Sequence, residues 1–143
     1  MTKRCLVLVD GFYEWREVDR RKYPYYISLV DNSALALAGI WDRWLNETTG
    51  EMRNTFSIIT TRANPLLERI HNTRKRMPVM LKQADEKKWL REDLDGPEMD
   101  SMLTPYDDRE MQAHTVSKLV STKRIDKNTP EVMKEFRYEG LEP

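Results

Sequence analysis

Two side chains in this sequence have the type and setting for acid–base chemistry: Glu14, lodged between aromatics in "GFYEW", and His71, one of only two histidines, in "IHNTRKRMPV". A carboxylate held among aromatic rings suits proton transfer near neutral pH, and a neutral imidazole can act as acid, base or hydrogen-bond donor. Each has a plainer reading. Glu14 could be one half of a cross-strand ion pair with a nearby arginine, and His71 a satisfied structural side chain. His114 in "AHTVSKLV" has Thr115 and Ser117 close by in sequence, but no G-x-S-x-G elbow supports a hydrolase of that type. Two histidines and one cysteine, with no pair at i, i+4, make a poor metal site, so neither metal nor cofactor is expected. Cys5 lies inside the aliphatic run "CLVLV" and reads as a small core hydrophobe.

The elements that must position these residues follow from periodicity and turn chemistry. "RCLVLV", "FYEWREV", "YYISLV", "ALALAGIWDRW" and "TFSIITT" are rich in β-branched and aromatic residues. They predict five strands before Thr61, joined as an antiparallel meander. Asp10-Gly11, Asp19 to Lys22, Asp31 to Ser33 and Asn46 to Gly50 supply hairpin connections between them. In the second of these strands Phe12, Glu14 and Arg16 share one face, and Tyr13, Trp15 and Glu17 the other. Asn64-Pro65 opens a short helix through Leu66, Leu67 and Ile70 that delivers His71 at its end. "MPVML" predicts another short strand, "QADEKKWLRED" a second helix stopped by Gly96-Pro97, and "MQAHTVSKLV" a last strand, with one helical turn after Thr129-Pro130.

Composition sets the frame. With 143 residues, 39% of them hydrophobic and 34% charged, the chain is expected to fold as one globular domain over residues 1–143. Lys plus Arg and Asp plus Glu balance at 24 each, so net charge argues for neither a nucleic-acid nor a membrane partner. The distribution is uneven, however. Arg62, Arg69, Arg74, Lys75, Arg76 and Lys82 flank His71 against the single acid Glu68. Such a run is ordinarily a solvated face. The single cysteine leans towards a reducing compartment, no apolar run is long enough to span a membrane, and Met1 to Arg4 is too short for the charged start of a signal peptide.

The ordered blocks "RCLVLVDGFYEW", "ALAGIWDRW", "TFSIITTRAN", "IHNTRKRMPVML", "HTVSKLV" and "NTPEVM" resemble the SOS-response-associated peptidase (SRAP) family, from Arg4 to about Met133. "DGFYEW" and "IHN…RMPV" are the specific ones. The fold expected is α+β, a mostly antiparallel, barrel-like sheet with short flanking helices. The resemblance implies a DNA-damage function: sensing abasic sites in single-stranded DNA, with autoproteolytic removal of a leader peptide and lyase-like crosslinking chemistry. In that family an N-terminal cysteine supplies an amine that condenses with the ring-opened sugar aldehyde, and its thiol closes a thiazolidine. An amine and a thiol on one residue attack the same carbon, so the second step has the advantage of an intramolecular reaction.

Residue by residue, the family's catalytic glutamate falls on Glu14 and its histidine on His71. Trp15 and Thr60 match positions lining the DNA cleft, and Arg62 and Arg76 join them on grounds of charge as phosphate contacts. The family's opening "MCGR" segment has no counterpart here, so the chain matches only the C-terminal two thirds of the domain. Cys5 corresponds to an internal position, and Thr2 is misplaced for the role. The expectation is therefore an enzyme if the cysteine segment is supplied, for example as a separate polypeptide, and otherwise a non-catalytic single-stranded-DNA-binding remnant. A cytoplasmic location, at the nucleoid if the source is bacterial, goes with either. "TRK" between Asn72 and Arg76 and "VST" at Val120 to Thr122 depart from the family pattern.

Overall fold

The computed structural model describes residues 3–141, so Thr2 and the ends of the expected 1–143 domain lie outside the described residues. Nine strands and three short helices follow one another: β1 (Arg4–Val9), β2 (Phe12–Val18), β3 (Arg21–Leu29), β4 (Leu35–Leu45), β5 (Met52–Ile58), β6 (Thr60–Arg62), α1 (Pro65–Ile70), β7 (Arg76–Pro78), β8 (Met80–Leu81), α2 (Gln83–Trp89), α3 (Gly96–Met102) and β9 (Met111–Thr115). Every pairing is antiparallel. One sheet runs β1-β4-β5 with β8 also on β4, a second runs β2-β3-β9, and β6 and β7 form a separate ribbon. The fold is thus α+β as expected, and its sheets stay open among the described residues.

The order of pairing departs from a meander. Two of the four expected hairpins are present. Asp19 and Arg20 both take left-handed φ, as a two-residue turn matching strand twist requires, and Val18 pairs with Arg21. Asn46 to Gly50 closes β4 on β5, with Gly50 at φ +71. The other two breaks are crossovers between sheets. Asp10-Gly11 carries the chain from β1, which pairs with β4, to β2, which pairs with β3. Gly11 is needed there for space: a Cβ would lie 2.5 Å from the Ile27 carbonyl oxygen and 2.5 Å from the Tyr26 ring. Asp31 to Ser33 is a second corner, held by Ser33 N–H donating to Asp31 Oδ1 at 2.9 Å. Two expected strands are split: "TFSIITT" breaks at Ile59 into β5 and β6, and "MPVML" breaks at Val79 into β7 and β8. The backbones of Ala38, Ile59 and Val79 bond to one another at both breaks and tie the ribbon to β4. Gly96-Pro97 does not stop α2, which ends at Trp89. It opens α3, with Asp95 as N-cap accepting from Glu98 N–H.

Two adjoining cores hold these layers. The larger gathers Tyr25, Ile27, Leu35, Leu37, Leu67, Ile70, Met77 and Met80, and so fixes α1 between the second sheet and the ribbon. The other centres on the fully buried Trp89 of α2. Its indole N–H donates to the Cys5 carbonyl at 3.1 Å, while Arg4 Nε donates to the Trp89 carbonyl at 2.7 Å. Cys5 packs on Gly39 of β4, where a Cβ would meet its Sγ at 2.7 Å. It therefore serves the sheet, as its aliphatic setting suggests. No helix among the described residues is long and apolar enough to cross a membrane.

Candidate active site

The position of His71 is set from the start of α1. Asn64, almost wholly buried, caps the helix by accepting from Leu67 N–H at 2.9 Å. Its amide donates to the Tyr106 carbonyl at 2.8 Å. Both ends of that side chain are thereby used, which makes burying it tolerable and fixes the helix start. Leu67 and Ile70 face the core, so the six-residue helix ends with His71 at its C-cap. The His71 carbonyl then accepts from Lys75 N–H at 2.7 Å, and Lys75 takes φ 50. Thr73, Arg74 and Lys75 form this turn and return the chain to β7.

Asn72 fastens the turn to β2. Glu17 N–H donates to Asn72 Oδ1 at 3.0 Å, and Asn72 Nδ2 donates back to the Glu17 carbonyl at 2.7 Å. The side-chain amide thus copies a neighbouring strand on the edge of β2 not taken by β3. Three residues earlier on that strand is Glu14. Its Oε1 lies 3.9 Å from His71 Nδ1, with 23% of the Glu14 side chain and 19% of the His71 side chain exposed. The carboxylate is therefore not sealed among aromatics; it stands at a solvent-reached wall. At 2.8 Å from the Arg76 carbonyl, which can only accept, His71 Nδ1 carries a proton in the neutral ring. That leaves the lone pair on Nε2.

Glu14, Trp15, Glu17, Lys22, His71, Thr73 and Arg74 line one cleft of about 390 Å³. Two carboxylates there face a lysine, an arginine and the imidazole, so the cleft mixes proton donors and acceptors with cations able to hold an anion. Thr60, Arg62 and Arg76 do not line this cleft. They share the exposed face of the β6–β7 ribbon next to it, where Arg62 and Arg76 are direct cross-strand partners and the Arg76 guanidinium donates to Thr60 Oγ1. Two cations opposite one another repel, which favours an anion between or above them. Arg76 joins the two groups, its side chain on the ribbon face and its carbonyl on His71.

His114 stands apart from this site. Its Nε2 donates to the Met133 carbonyl at 2.7 Å and its ring packs at 5.7 Å from Tyr26, so its role is to hold the C-terminal segment against β9. Lys22 and above all Asn72 were not singled out as site residues from the sequence, whereas Thr73 and Arg74 entered only through the basic run and the "TRK" stretch. An asparagine directly after a helix-ending histidine is the only local signal for Asn72, and its partner on β2 is 55 residues away. Among the described residues, no three His, Cys, Asp or Glu side chains gather as metal ligands would.

The scaffold that holds these residues has known counterparts. The sequence model of the family described as SOS response associated peptidase (SRAP) matches residues 1–123, and the chain belongs to that family. The abasic site processing protein YoqW of Bacillus subtilis is 39% identical over 135 residues, which cover 93% of this chain and 58% of that protein. The abasic site processing protein HMCES of Xenopus tropicalis is 33% identical over 150 residues, covering 92% of this chain and 43% of that protein. A crystal structure of a Bacteroides thetaiotaomicron protein superimposes with a TM-score of 0.89 at 40% identity, over 96% of this chain and 58% of that one. The chain thus spans 58% of the length of YoqW and of the Bacteroides protein and 43% of that of HMCES.

Proposed function

We propose that this chain is the acid–base part of an SRAP-type sensor of abasic sites in single-stranded DNA. In this reading a cysteine at the N-terminus of the family's opening segment, outside the chain, is the nucleophile. Its amine adds to the aldehyde carbon of the ring-opened sugar, water leaves to give an imine, and the thiol adds across the C=N bond to close a thiazolidine. No oxidant or reductant is needed. Glu14 takes a proton from the attacking amine and returns one to the departing hydroxyl; the same carboxylate serves the release of a leader peptide. His71, with its free Nε2 lone pair, takes the sugar hydroxyl proton during ring opening. Trp15 offers a stacking surface, and Thr60, Arg62 and Arg76 hold the flanking phosphates.

The observation that carries this reading is the approach of Glu14 to His71, 3.9 Å between Oε1 and Nδ1, in a cleft rimmed by lysine and arginine in a member of this family. Cys5 is not an alternative nucleophile. Its nitrogen is a peptide nitrogen inside β1, so it cannot supply the amine and thiol together. The test is crosslinking to single-stranded DNA with one abasic site, with the opening segment supplied from a relative. Glu14→Gln slows adduct formation by about 10²-fold or more, the loss expected for a missing general acid/base, with unfolding unchanged. A Glu14→Gln protein that crosslinks at the parent rate removes the assignment.

A further inference from the structure

A second cavity, of about 580 Å³, lies between α1, the β2-β3-β9 sheet and the chain after β9, and shares no lining residue with the cleft of Glu14 and His71. Tyr25 of β3 is buried there, and its hydroxyl accepts from the Arg16 guanidinium at 3.3 Å. Leu66 and Ile70 of α1 and Leu141 supply apolar walls, and Tyr138 an aromatic one. The outer wall is fixed in place. Phe136 N–H donates to the Thr115 carbonyl at 2.8 Å, the Tyr138 hydroxyl donates to the Val116 carbonyl at 2.8 Å, and the Tyr138 ring meets Tyr23 edge-on at 5.0 Å. The cavity is thus formed in the free protein, as ligand sites usually are, and its volume falls in their usual range of about 300–1,000 Å³.

Its charge is one-sided. Three guanidinium groups, those of Arg16, Arg69 and Arg137, line it against the single carboxylate of Glu135, which already lies 3.3 Å from Arg137. Arg69 makes no ion pair among the described residues. Guanidinium groups gathered round apolar and aromatic walls suit an anion that also has a flat, weakly polar body. A phosphate alone fills only a fraction of this volume. A nucleotide meets both demands, with its phosphate in the arginine forks and its base laid against tyrosine and aliphatic carbon.

We propose that this cavity is a nucleotide site, with Arg69 and Arg137 on the phosphate and Tyr138 against the base. It adjoins the reacting groups through the chain itself: Arg16 shares a face of β2 with Glu14, one pleat further on, and Ile70 immediately precedes His71. The same chemistry has two sources. One is the nucleotide next to the abasic sugar in the damaged strand, which rests on the reading above; the other is a free mononucleotide, which does not.

The test titrates the full chain with dAMP, deoxyadenosine and inorganic phosphate by calorimetry. The expected result is one dAMP per chain, with deoxyadenosine and phosphate each bound at least about tenfold more weakly. Arg69→Gln and Arg137→Gln each weaken dAMP by about tenfold or more, as the loss of a charge-assisted hydrogen bond does. Both residues are exposed, so these variants keep the parent thermal transition. Arg53→Gln, exposed on β5 and outside the cavity, leaves the affinity unchanged. A single-stranded oligonucleotide with one tetrahydrofuran abasic analogue then separates the sources. If dAMP displaces it and Arg69→Gln weakens it, the cavity serves the strand; if dAMP binds beside it, the cavity serves a free nucleotide. Absence of dAMP binding, phosphate bound as tightly as dAMP, or an affinity that Arg69→Gln and Arg137→Gln leave untouched overturns the proposal. A chain that binds dAMP through Arg69 but forms no adduct with abasic-site DNA beside the cysteine segment fails the chemical reading and leaves the cavity standing. An adduct formed by a chain that does not bind dAMP fails the cavity and leaves the chemistry standing.

Discussion

Replacing Asn72 by alanine removes both hydrogen bonds between the His71 turn and β2, at 3.0 and 2.7 Å, without touching Glu14 or His71. A hydrogen bond contributes about 0.5–1.5 kcal/mol net, with solvent-reached bonds at the low end, so the two together amount to about 1–2 kcal/mol. For a chain of 143 residues that lowers Tm by roughly 3–7 °C. The site is expected to lose more than the fold. The turn is then held to β2 mainly by the packing of α1, so the Glu14–His71 approach loosens and crosslinking falls by about tenfold or more. Asn72→Asp discriminates further. It keeps an acceptor for Glu17 N–H but sets a carboxylate oxygen against the Glu17 carbonyl. It is therefore no better than alanine at pH 7, and it recovers stability relative to alanine as the pH falls below about 4, where an aspartate protonates and can donate. Thermal unfolding of the three proteins across pH, beside their crosslinking rates, is the assay. An Asn72→Ala transition within about 1 °C of the parent, with an unchanged rate, refutes the idea that this amide holds the site together.

Two further outcomes follow from the same structure. Gly11→Ala drives a Cβ into the Ile27 carbonyl and the Tyr26 ring and is expected to cost about 2–3 kcal/mol in chemical denaturation; a loss below about 0.5 kcal/mol contradicts that close approach. Tyr106 is pushed up to about 12, first by burial, then by a hydrogen bond to Glu110 and by the charges of Glu110, Asp31 and Asp107. Its folded pKa lies above the unfolded value near 10, so its contribution to stability is complete below pH 10 and is lost as the pH rises through 12. Tyrosinate absorbance should show one of the six tyrosines ionising last, near pH 12, and Tyr106→Phe should remove that step. Coincident titration of all six near pH 10 contradicts it.

What could be read from the sequence was whatever is local. Alternation and β-branched content located β1, β2 and β4 closely, while β3 begins at Arg21, four residues before the expected "YYISLV", and the turns at Asp19-Arg20 and Asn46 to Gly50 connect the strands expected. Pairing was harder. Nothing within Arg4–Val9 says that its partner is Leu35–Ile40 and not the next strand, because the choice depends on packing between sheets. Gly96-Pro97 is ambiguous for a physical reason: glycine commonly ends helices while proline commonly begins them, and here Asp95 as N-cap decided for a beginning. In the site, Glu14, Trp15 and His71, which the motifs singled out, line one cleft, although the carboxylate is more open than its aromatic neighbours suggest. Thr60, Arg62 and Arg76 also came together, on the adjoining ribbon. Asn72 escaped notice because its function lies entirely in a backbone 55 residues away.

Intact mass spectrometry after incubation with single-stranded DNA carrying one abasic site tests the central claim most directly. With the cysteine-bearing segment of a relative present, the account predicts a covalent adduct on that segment's cysteine, formed fast with the parent chain and slowly with Glu14→Gln. No adduct, or an adduct formed equally fast when this chain is left out, contradicts the claim that Glu14 and His71 carry the chemistry.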